Sequence, residues 1–469
     1  MATITKKRRV DATEGPIFSK MLYFVIPLML TNLIQQLYTI ADNLVVGKFS
    51  SDPAALGAIG SSASVIALLT AIFAGFSVGT AATVSHDIGA KNNEAIEKDV
   101  HTSVILSVSV GLTVGIVGFV FARPILEAMS TKTEFIDSAV VYLQIRCLGM
   151  PLVSLYNIGA ATLRSVGDSK TPLNILTISG LLNVLLNLVF VLFFGMAADG
   201  VALATLASQI ISVVLVFRVL IGRKDEPYSF KLSALKLDAK TAKRVLKFAI
   251  PGAIQTLGAH IINVFIASAT NNIFDPEVIE ARTIAGNIDT ILITVLNTYT
   301  DCTLTFAGQN KGANKPERMK KSLIISLLQV CSIALVVGQI MILFKKPLIK
   351  LFINEELYNV DAIIDYAGTI ITIMLSSYIL YAACCSLCGF IRGLGYSLPT
   401  MVVALCDVFV LRTIWIFGLF PKVKTLEFLY LLYPVSYVIF VVAYASVAVV
   451  IWKRFKKTVE EKDLLKVNN

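Results

Sequence analysis

Twelve apolar segments, each about twenty residues long or longer, dominate this chain of 469 residues. An apolar helix of about 20 residues crosses the roughly 30 Å hydrocarbon core of a bilayer. Because lipid offers the backbone no hydrogen bonds, segments of this length fold as helices. Only 15% of the residues are charged, against about 25% in soluble domains, so most of the chain does not face water. The twelve spans use roughly half of the chain, which leaves no room for a sizeable soluble domain. The pattern predicts an all-α integral membrane protein with twelve transmembrane helices.

The predicted helices fall into two sets of six, separated by a polar, lysine-rich linker. The first set, spans 1 to 6, covers residues 21–46, 56–82, 102–122, 137–161, 172–194 and 200–221. The second set, spans 7 to 12, covers residues 244–270, 283–307, 320–344, 362–390, 397–420 and 426–452. The predicted division is a tail at 1–20, an N-lobe at 21–221, a linker at 222–243, a C-lobe at 244–452 and a tail at 453–469.

Three short motifs recur in both sets at offsets of 224, 223 and 228 residues. They are residues 24–27 with 248–251, 89–94 with 312–317, and 164–167 with 392–395. Such spacing indicates an internal repeat. Since each copy holds an even number of helices, both start on the same side of the membrane. We expect two six-helix lobes related by pseudo-two-fold symmetry along the membrane normal, an arrangement typical of transporters whose lobes rock against each other.

The chain has a net charge of +10, and its lysines and arginines are divided unevenly between the two sides of the membrane. With the N-terminus placed in the cytoplasm, the cytoplasmic segments together with the first turns of spans 7 and 9 hold 29 of the 41 lysines and arginines, and the outer loops hold 9. This asymmetry follows the positive-inside rule, so we expect both termini in the cytoplasm and no nucleic-acid partner. Residues 1–20 lack a small-residue cleavage site and are interpreted as a cytoplasmic tail.

Span 1 carries a polar stripe on a single helical face. Its members are Thr31, Gln35, Tyr38 and Asp42, spaced at i, i+4, i+7 and i+11. Asp42 is the only carboxylate of this span, and no basic residue lies near it in sequence. A carboxylate at membrane depth is expensive and can hold a proton, a Na⁺ ion or a cationic substrate. The alternative is an interfacial aspartate that caps the helix end.

Other polar residues lie at membrane depth in both lobes. Span 5 carries Asn183 and Asn187, and span 6 carries Thr205 and Gln209, which suit either weak cation ligation or helix packing. The secondary candidates in the C-lobe are His260, Asn263, Asp289, Asp301, Asp407 and Arg412. Asp407 and Arg412 are five residues apart, on different faces of an α-helix, so we expect each to have another partner.

Nucleotide-binding and metalloprotease motifs are missing from the sequence. It contains no G-x-x-x-x-G-K-[ST] or H-E-x-x-H motif, and its one G-x-S-x-G pattern, Gly75–Gly79, lies inside predicted span 2. We therefore expect a transporter driven by an ion gradient, with no enzymatic activity. The seven cysteines all lie in apolar segments, where small packing residues are the simplest interpretation.

At these residues the chain resembles the multidrug and toxic-compound extrusion family over nearly its whole length. The matching segments are residues 26–27, 41–47, 164–172, 204–209 and 308–314, with Asn183 onward in span 5. The resemblance implies a V-shaped pair of lobes in a bacterial plasma membrane. It also implies a monomer that exports organic, often cationic, compounds in exchange for H⁺ or Na⁺ and needs no other cofactor.

The resemblance also implies an ion site. In the DinF-like branch the N-lobe site uses an Asp on span 1, an Asn and an Asp on span 5, and a Thr on span 6. Asp42, Asn183 and Thr205 match, but Asn187 stands where the second Asp is expected. The acidic positions of the NorM-like branch are Ala259 and Tyr381 here, so the chain is closer to the DinF-like branch. The implied ion and substrate residues are Asp42, Asn183, Asn187, Thr205, Tyr38 and Gln35.

Two other functions stay open on the sequence. A lipid-linked saccharide flippase favours a strongly basic cleft for pyrophosphate, and only Arg146 and Arg412 lie suitably at membrane depth. An integral-membrane transferase needs clustered acidic metal ligands, and the sequence shows no such cluster.

Overall fold

In a computed structural model the chain is built almost wholly from helices. The structure describes residues 9–50, 52, 54–271, 274–353 and 360–467, and the side chains of 262–265, 267–271 and 462–467 lie outside this description. Within these ranges no β-strand occurs. The predicted all-α fold is confirmed.

The first half of the chain forms eight helices. They are α1 (Ile17–Phe49), α2 (Ala55–Gly89), α3 (Asn93–Val120), α4 (Ala122–Ala128), α5 (Ile136–Leu148), α6 (Met150–Ser165), α7 (Lys170–Leu188) and α8 (Ala198–Gly222). Helix α7 continues into a π-helical turn, Val189–Phe193, and the linker holds a short 3₁₀ turn, Leu232–Ala234.

The second half forms ten helices among the described residues. They are α9 (Ala239–Asn271), α10 (Pro276–Gly312), α11 (Pro316–Leu343), α12 (Lys345–Lys350), α13 (Val360–Ser376), α14 (Tyr378–Gly393), α15 (Leu398–Cys406), α16 (Phe420–Val423), α17 (Leu426–Tyr430) and α18 (Leu432–Val467). Two π-helical stretches, Asp407–Arg412 and Ile414–Leu419, follow α15.

Eight helical segments of the described chain are long and apolar enough to cross a membrane, and two bent helix pairs raise the number to ten. Helices α5 and α6 meet at 42°, and α13 and α14 meet at 44°, so spans 4 and 10 are broken where we expected continuous helices. Pro151 lies in the first turn of α6, where its missing N–H costs nothing. The more polar α9 and α10, 33 and 37 residues long, occupy the positions of spans 7 and 8.

The internal repeat extends to the geometry of the turns. Lys91 and Asn314 both adopt left-handed conformations, with φ of 55° and 54°, directly after α2 and α10. Gly167 and Gly395 do the same after α6 and α14, with φ of 84° and 92°. Each left-handed residue closes a helix C-terminus and satisfies backbone carbonyls that the helix leaves unpaired. Corresponding helices of the two sets thus end in the same way.

The chain divides into two compact units. The first unit contains Met1–Asp11 and Ile26–Thr256, and the second contains Ala12–Val25 and Leu257–Asn469. Helices α1 and α9 each contribute to both units, and each contains an internal proline near the change, Pro27 and Pro251. Proline removes a helical hydrogen bond, so both helices are weakened where they pass from one unit to the other.

A charge cluster ties three helices of the first unit together. Arg244 of α9 donates from Nη2 to both carboxylate oxygens of Asp99 in α3 at 2.6 Å, and it also contacts Asp87 of α2. Elsewhere on α2, Gly75 lies directly against the backbone of α9. A side chain at position 75 would collide with the carbonyl oxygen of Ala249. The linker packs on the same unit, with Phe230 stacked on His101 at 5.4 Å between ring centroids.

In the second unit the segment before α1 is held by side chains from α10 and α11. The backbone N–H of Ala12 donates to Gln309 Oε1 at 3.0 Å, and the Ala12 carbonyl accepts from Asn310 Nδ2 at 3.1 Å. Arg318 Nε donates to the same carbonyl at 2.8 Å. The polar side chains of the motif at 308–314 therefore hold a peptide segment that precedes them by about 300 residues.

Candidate functional site

A polar cavity of about 240 Å³ lies within the first unit, between α1 and helices α5 to α8. Its walls combine carboxylate, guanidinium, amide, hydroxyl and aromatic groups. The lining residues are Gln35, Tyr38, Thr39, Asp42, Arg146, Val153, Tyr156, Asn157, Leu176, Ser179, Gly180, Asn183, Thr205, Ser208, Gln209 and Ser212. The span 1 stripe from Gln35 to Asp42 therefore faces the same space as Asn183 of span 5 and the polar pair of span 6.

Asp42 anchors a chain of hydrogen bonds along one side of this cavity. Asn187 Nδ2 donates to Asp42 Oδ1 at 2.6 Å and lies 3.4 Å from Asn183 Oδ1. Asn183 Nδ2 in turn lies 3.4 Å from Thr205 Oγ1. The structure thus brings together the four residues of the implied ion site, three on the cavity wall and Asn187 directly behind Asp42.

Asn187 presents an unused acceptor beside the carboxylate. Its side chain is fully buried, and its Oδ1 has no hydrogen-bond partner among the residues that the structure describes. Buried amide oxygens are normally satisfied, so an orphan next to a carboxylate suits a proton donor or a small cation. Asp42 itself does not cap the end of α1, which continues to Phe49.

Arg146 is the site residue whose role the sequence did not reveal. No basic residue lies near Asp42 in the sequence, yet a basic residue of another helix faces the same cavity. Arg146 of α5 lines the same cavity and interacts electrostatically with Asp42. The residues are 104 positions apart, and only tertiary packing brings them to one wall.

Tyr38 packs into a notch on α7 that exists because Gly180 has no side chain. Its hydroxyl donates to the carbonyl oxygen of Leu176, and its ring lies where a Cβ of Gly180 would project. The missing side chain of Gly180 therefore sets the position of the Tyr38 ring in the cavity lining.

We expect Gly180→Ala to destabilise the protein by about 1–3 kcal/mol because the added methyl group overlaps the Tyr38 ring. Thermal unfolding followed by tryptophan fluorescence in detergent measures the change. Gly60→Ala is the matched control, since an added Cβ at Gly60 meets no atom within 4 Å. Combining Gly180→Ala with Tyr38→Ala should restore most of the lost stability, and a double variant as unstable as the single one would contradict this packing account.

The C-lobe candidates do not form a comparable site among the described residues. Asp289 is buried against the hydroxyl group of Tyr378, and Tyr381 donates to Asn297 Oδ1 at 2.7 Å. His260 and Asp301 are partly buried, on α9 and α10. The side chain of Asn263 lies outside the described residues.

Asp407 and Arg412 pair with each other, contrary to our expectation. Arg412 Nε donates to Asp407 Oδ2 at 2.6 Å, and both side chains are buried. The prediction assumed α-helical periodicity, but residues Asp407–Arg412 form a π-helical turn, in which positions i and i+5 are aligned. The pair neutralises one of the two arginines that the flippase alternative would use.

The three cysteines of α14 serve packing contacts. Cys384, Cys385 and Cys388 are buried, and the first and last of them belong to an apolar cluster with α18. Cys385 Sγ lies 3.6 Å from Asn297 Oδ1.

A bundle of about twelve membrane-spanning helices with a polar cavity among them is an architecture typical of membrane transporters. The MatE family model matches the chain twice, over residues 27–189 and 249–417. The chain therefore belongs to the MatE family of multidrug efflux transporters. Each match begins in the first predicted span of a set and ends in its fifth.

Individual relatives agree with this assignment. Probable multidrug resistance proteins YoeA and YpnP of Bacillus subtilis (strain 168) are 25% and 26% identical to this chain. The first alignment covers 85% of both chains, and the second covers 86% of this chain and 88% of YpnP. The crystal structure of MATE in the bent conformation covers 97% of this chain and 98% of its own, with a TM-score of 0.87 at 20% identity. That likeness shows the fold.

Proposed function

We propose that this transporter exports organic, often cationic, compounds in exchange for H⁺ or Na⁺ bound at Asp42. The observation that carries the proposal is the environment of Asp42: a carboxylate on the wall of a polar cavity, bonded to Asn187 at 2.6 Å. The orphan oxygen of Asn187 supplies a second ligand for an ion at the same place. The names of the Bacillus subtilis relatives support multidrug compounds as the substrates.

Exchange follows from competition for one negative charge. An ion at Asp42 neutralises the carboxylate, and a cationic substrate needs the same carboxylate free. Binding of one then weakens binding of the other, and this reciprocal coupling is what an antiporter requires. Because Asn187 is uncharged, we propose a single carboxylate and a single exchanged ion charge in this site.

The residues match the DinF-like branch more closely than the NorM-like branch. Asp42, Asn183 and Thr205 lie along one hydrogen-bonded path, whereas Ala259 and Tyr381 offer no carboxylate. We further propose a monomer in a bacterial plasma membrane with both termini in the cytoplasm, as the distribution of lysine and arginine favours.

Transport in proteoliposomes separates the coupling ions. Purified protein is reconstituted, and movement of a fluorescent organic cation is followed under an imposed pH gradient or an imposed Na⁺ gradient, each without the other. We expect one gradient to drive the dye against its concentration difference. Dye movement that follows neither gradient would refute ion-coupled export.

A further inference from the structure

Arg146 is a cation without a protein partner in the wall of the cavity. It is partly buried on α5 and lines the cavity, and its side chain forms no ion pair or hydrogen bond with the residues that the structure describes. Its interaction with Asp42 acts over a distance and not through a direct ion pair. A charged side chain at membrane depth is costly and normally has a partner or a function.

The other two arginines within the predicted spans, Arg412 and Arg218, have different surroundings from those of Arg146. Arg412 is buried, but it pairs with Asp407 at 2.6 Å and lies over the Tyr433 ring at 5.3 Å. Arg218 is exposed on α8 and does not line the cavity. Arg146 alone of these three faces the cavity with its donors unused.

We propose that Arg146 binds an acidic group of the substrate, so that the site selects zwitterions whose cationic group lies at Asp42. A guanidinium has donors and no acceptor, and it binds a carboxylate through two parallel hydrogen bonds. Asp42 and Arg146 therefore place opposite charges on the lining of one cavity, and a molecule that carries both charges can pair with each of them. The inference rests on the proposed substrate function of this cavity.

The cavity supplies further groups suited to a carboxylate. Asn157 and Gln209 line it, and amide N–H groups donate hydrogen bonds. The volume of about 240 Å³ is below that of a pocket for a whole drug-sized molecule, so it admits a small zwitterion or the charged end of a larger one.

The test compares 4-(trimethylammonio)benzoate, a zwitterion, with its methyl ester, a cation of nearly equal size. Binding to the purified transporter is measured by isothermal titration calorimetry without any ion gradient. We expect wild-type protein to bind the zwitterion about tenfold more tightly than the ester, the value of a charge-assisted hydrogen-bonded pair. Arg146→Gln should remove this preference and bind the ester at least as well as wild type, because repulsion is relieved.

Arg218→Gln is the matched control and should keep the wild-type preference. Retained ester binding by Arg146→Gln demonstrates that the variant is folded. The proposal is overturned if wild type binds the ester as tightly as the zwitterion, if wild type binds no zwitterion, or if Arg146→Gln keeps the preference. Because the assay uses equilibrium binding, its result is independent of whether an ion gradient drives export.

Discussion

Replacing Asp42 with asparagine is expected to reduce ion-driven export to the level of empty vesicles while leaving expression unchanged. The substitution keeps the size of the side chain and an oxygen that accepts from Asn187 Nδ2, so the hydrogen bond of 2.6 Å persists. It removes the negative charge for which ion and substrate compete. The protein then folds and still contains the cavity, but it lacks the group that couples the two.

Export by this variant is measured in proteoliposomes with the gradient that drives the wild type. Asp137→Asn is the matched control, because Asp137 is 82% exposed and pairs only with Arg123 and solvent at the surface. Gel filtration in detergent verifies that both variants are folded. Gradient-driven export by Asp42→Asn at the wild-type rate would falsify the assignment of Asp42.

Replacing Arg244 with alanine is expected to destabilise the first unit by about 3 kcal/mol, with a lowered thermal midpoint and lower yield. Arg244 joins Asp87 and Asp99, whose side chains are only 4% and 0% exposed. Its removal leaves Asp99 buried without its basic partner and leaves Asp87 with only the neighbouring His86. Removing one partner of a buried ion pair is costly because the remaining charge is uncompensated. The guanidinium is 38% exposed, so we place the effect at the lower end of the range for buried pairs.

Arg123→Ala is the matched control for the charge cluster. Arg123 also binds a carboxylate, that of Asp137, but the pair lies at the surface and is screened by solvent. The control should unfold at the wild-type temperature. Adding Asp99→Asn to Arg244→Ala should recover part of the loss, since one of the two unpaired charges is removed. An Arg244→Ala protein as stable as wild type would show that the cluster has no stabilising role.

Local periodicity predicted the polar wall of the cavity. Gln35, Tyr38 and Asp42 lie on one face because helical spacing alone fixes their relative directions. The twelve spans follow from segment length and the bilayer, which do not depend on tertiary contacts. These parts of the fold are encoded over stretches of twenty residues, and a single sequence is sufficient to find them.

The features that the sequence did not reveal depend on contacts between residues far apart in the sequence or on irregular backbone geometry. Arg146 lines the same cavity as Asp42 because α5 packs against other helices, and no local sequence pattern predicts that packing. The pairing of Asp407 with Arg412 needs a π-helical turn, which shifts the register that an α-helical wheel assumes. The orphan oxygen of Asn187 depends on which neighbours its amide meets, and composition carries no information about that.

The residues that precede and begin α1 impose an order on biosynthesis. Ala12–Val25 belongs to the second unit, and the bond from Ala12 to Gln309 joins residues 297 positions apart. At about 5–20 residues per second, the ribosome needs roughly 15–60 s to produce the partners of this segment. During that interval its backbone groups depend on water or on other proteins for hydrogen bonds. A segment synthesised about 300 residues before its partners is therefore among the last to reach its final contacts, and a chain that ends at the linker would leave it without them.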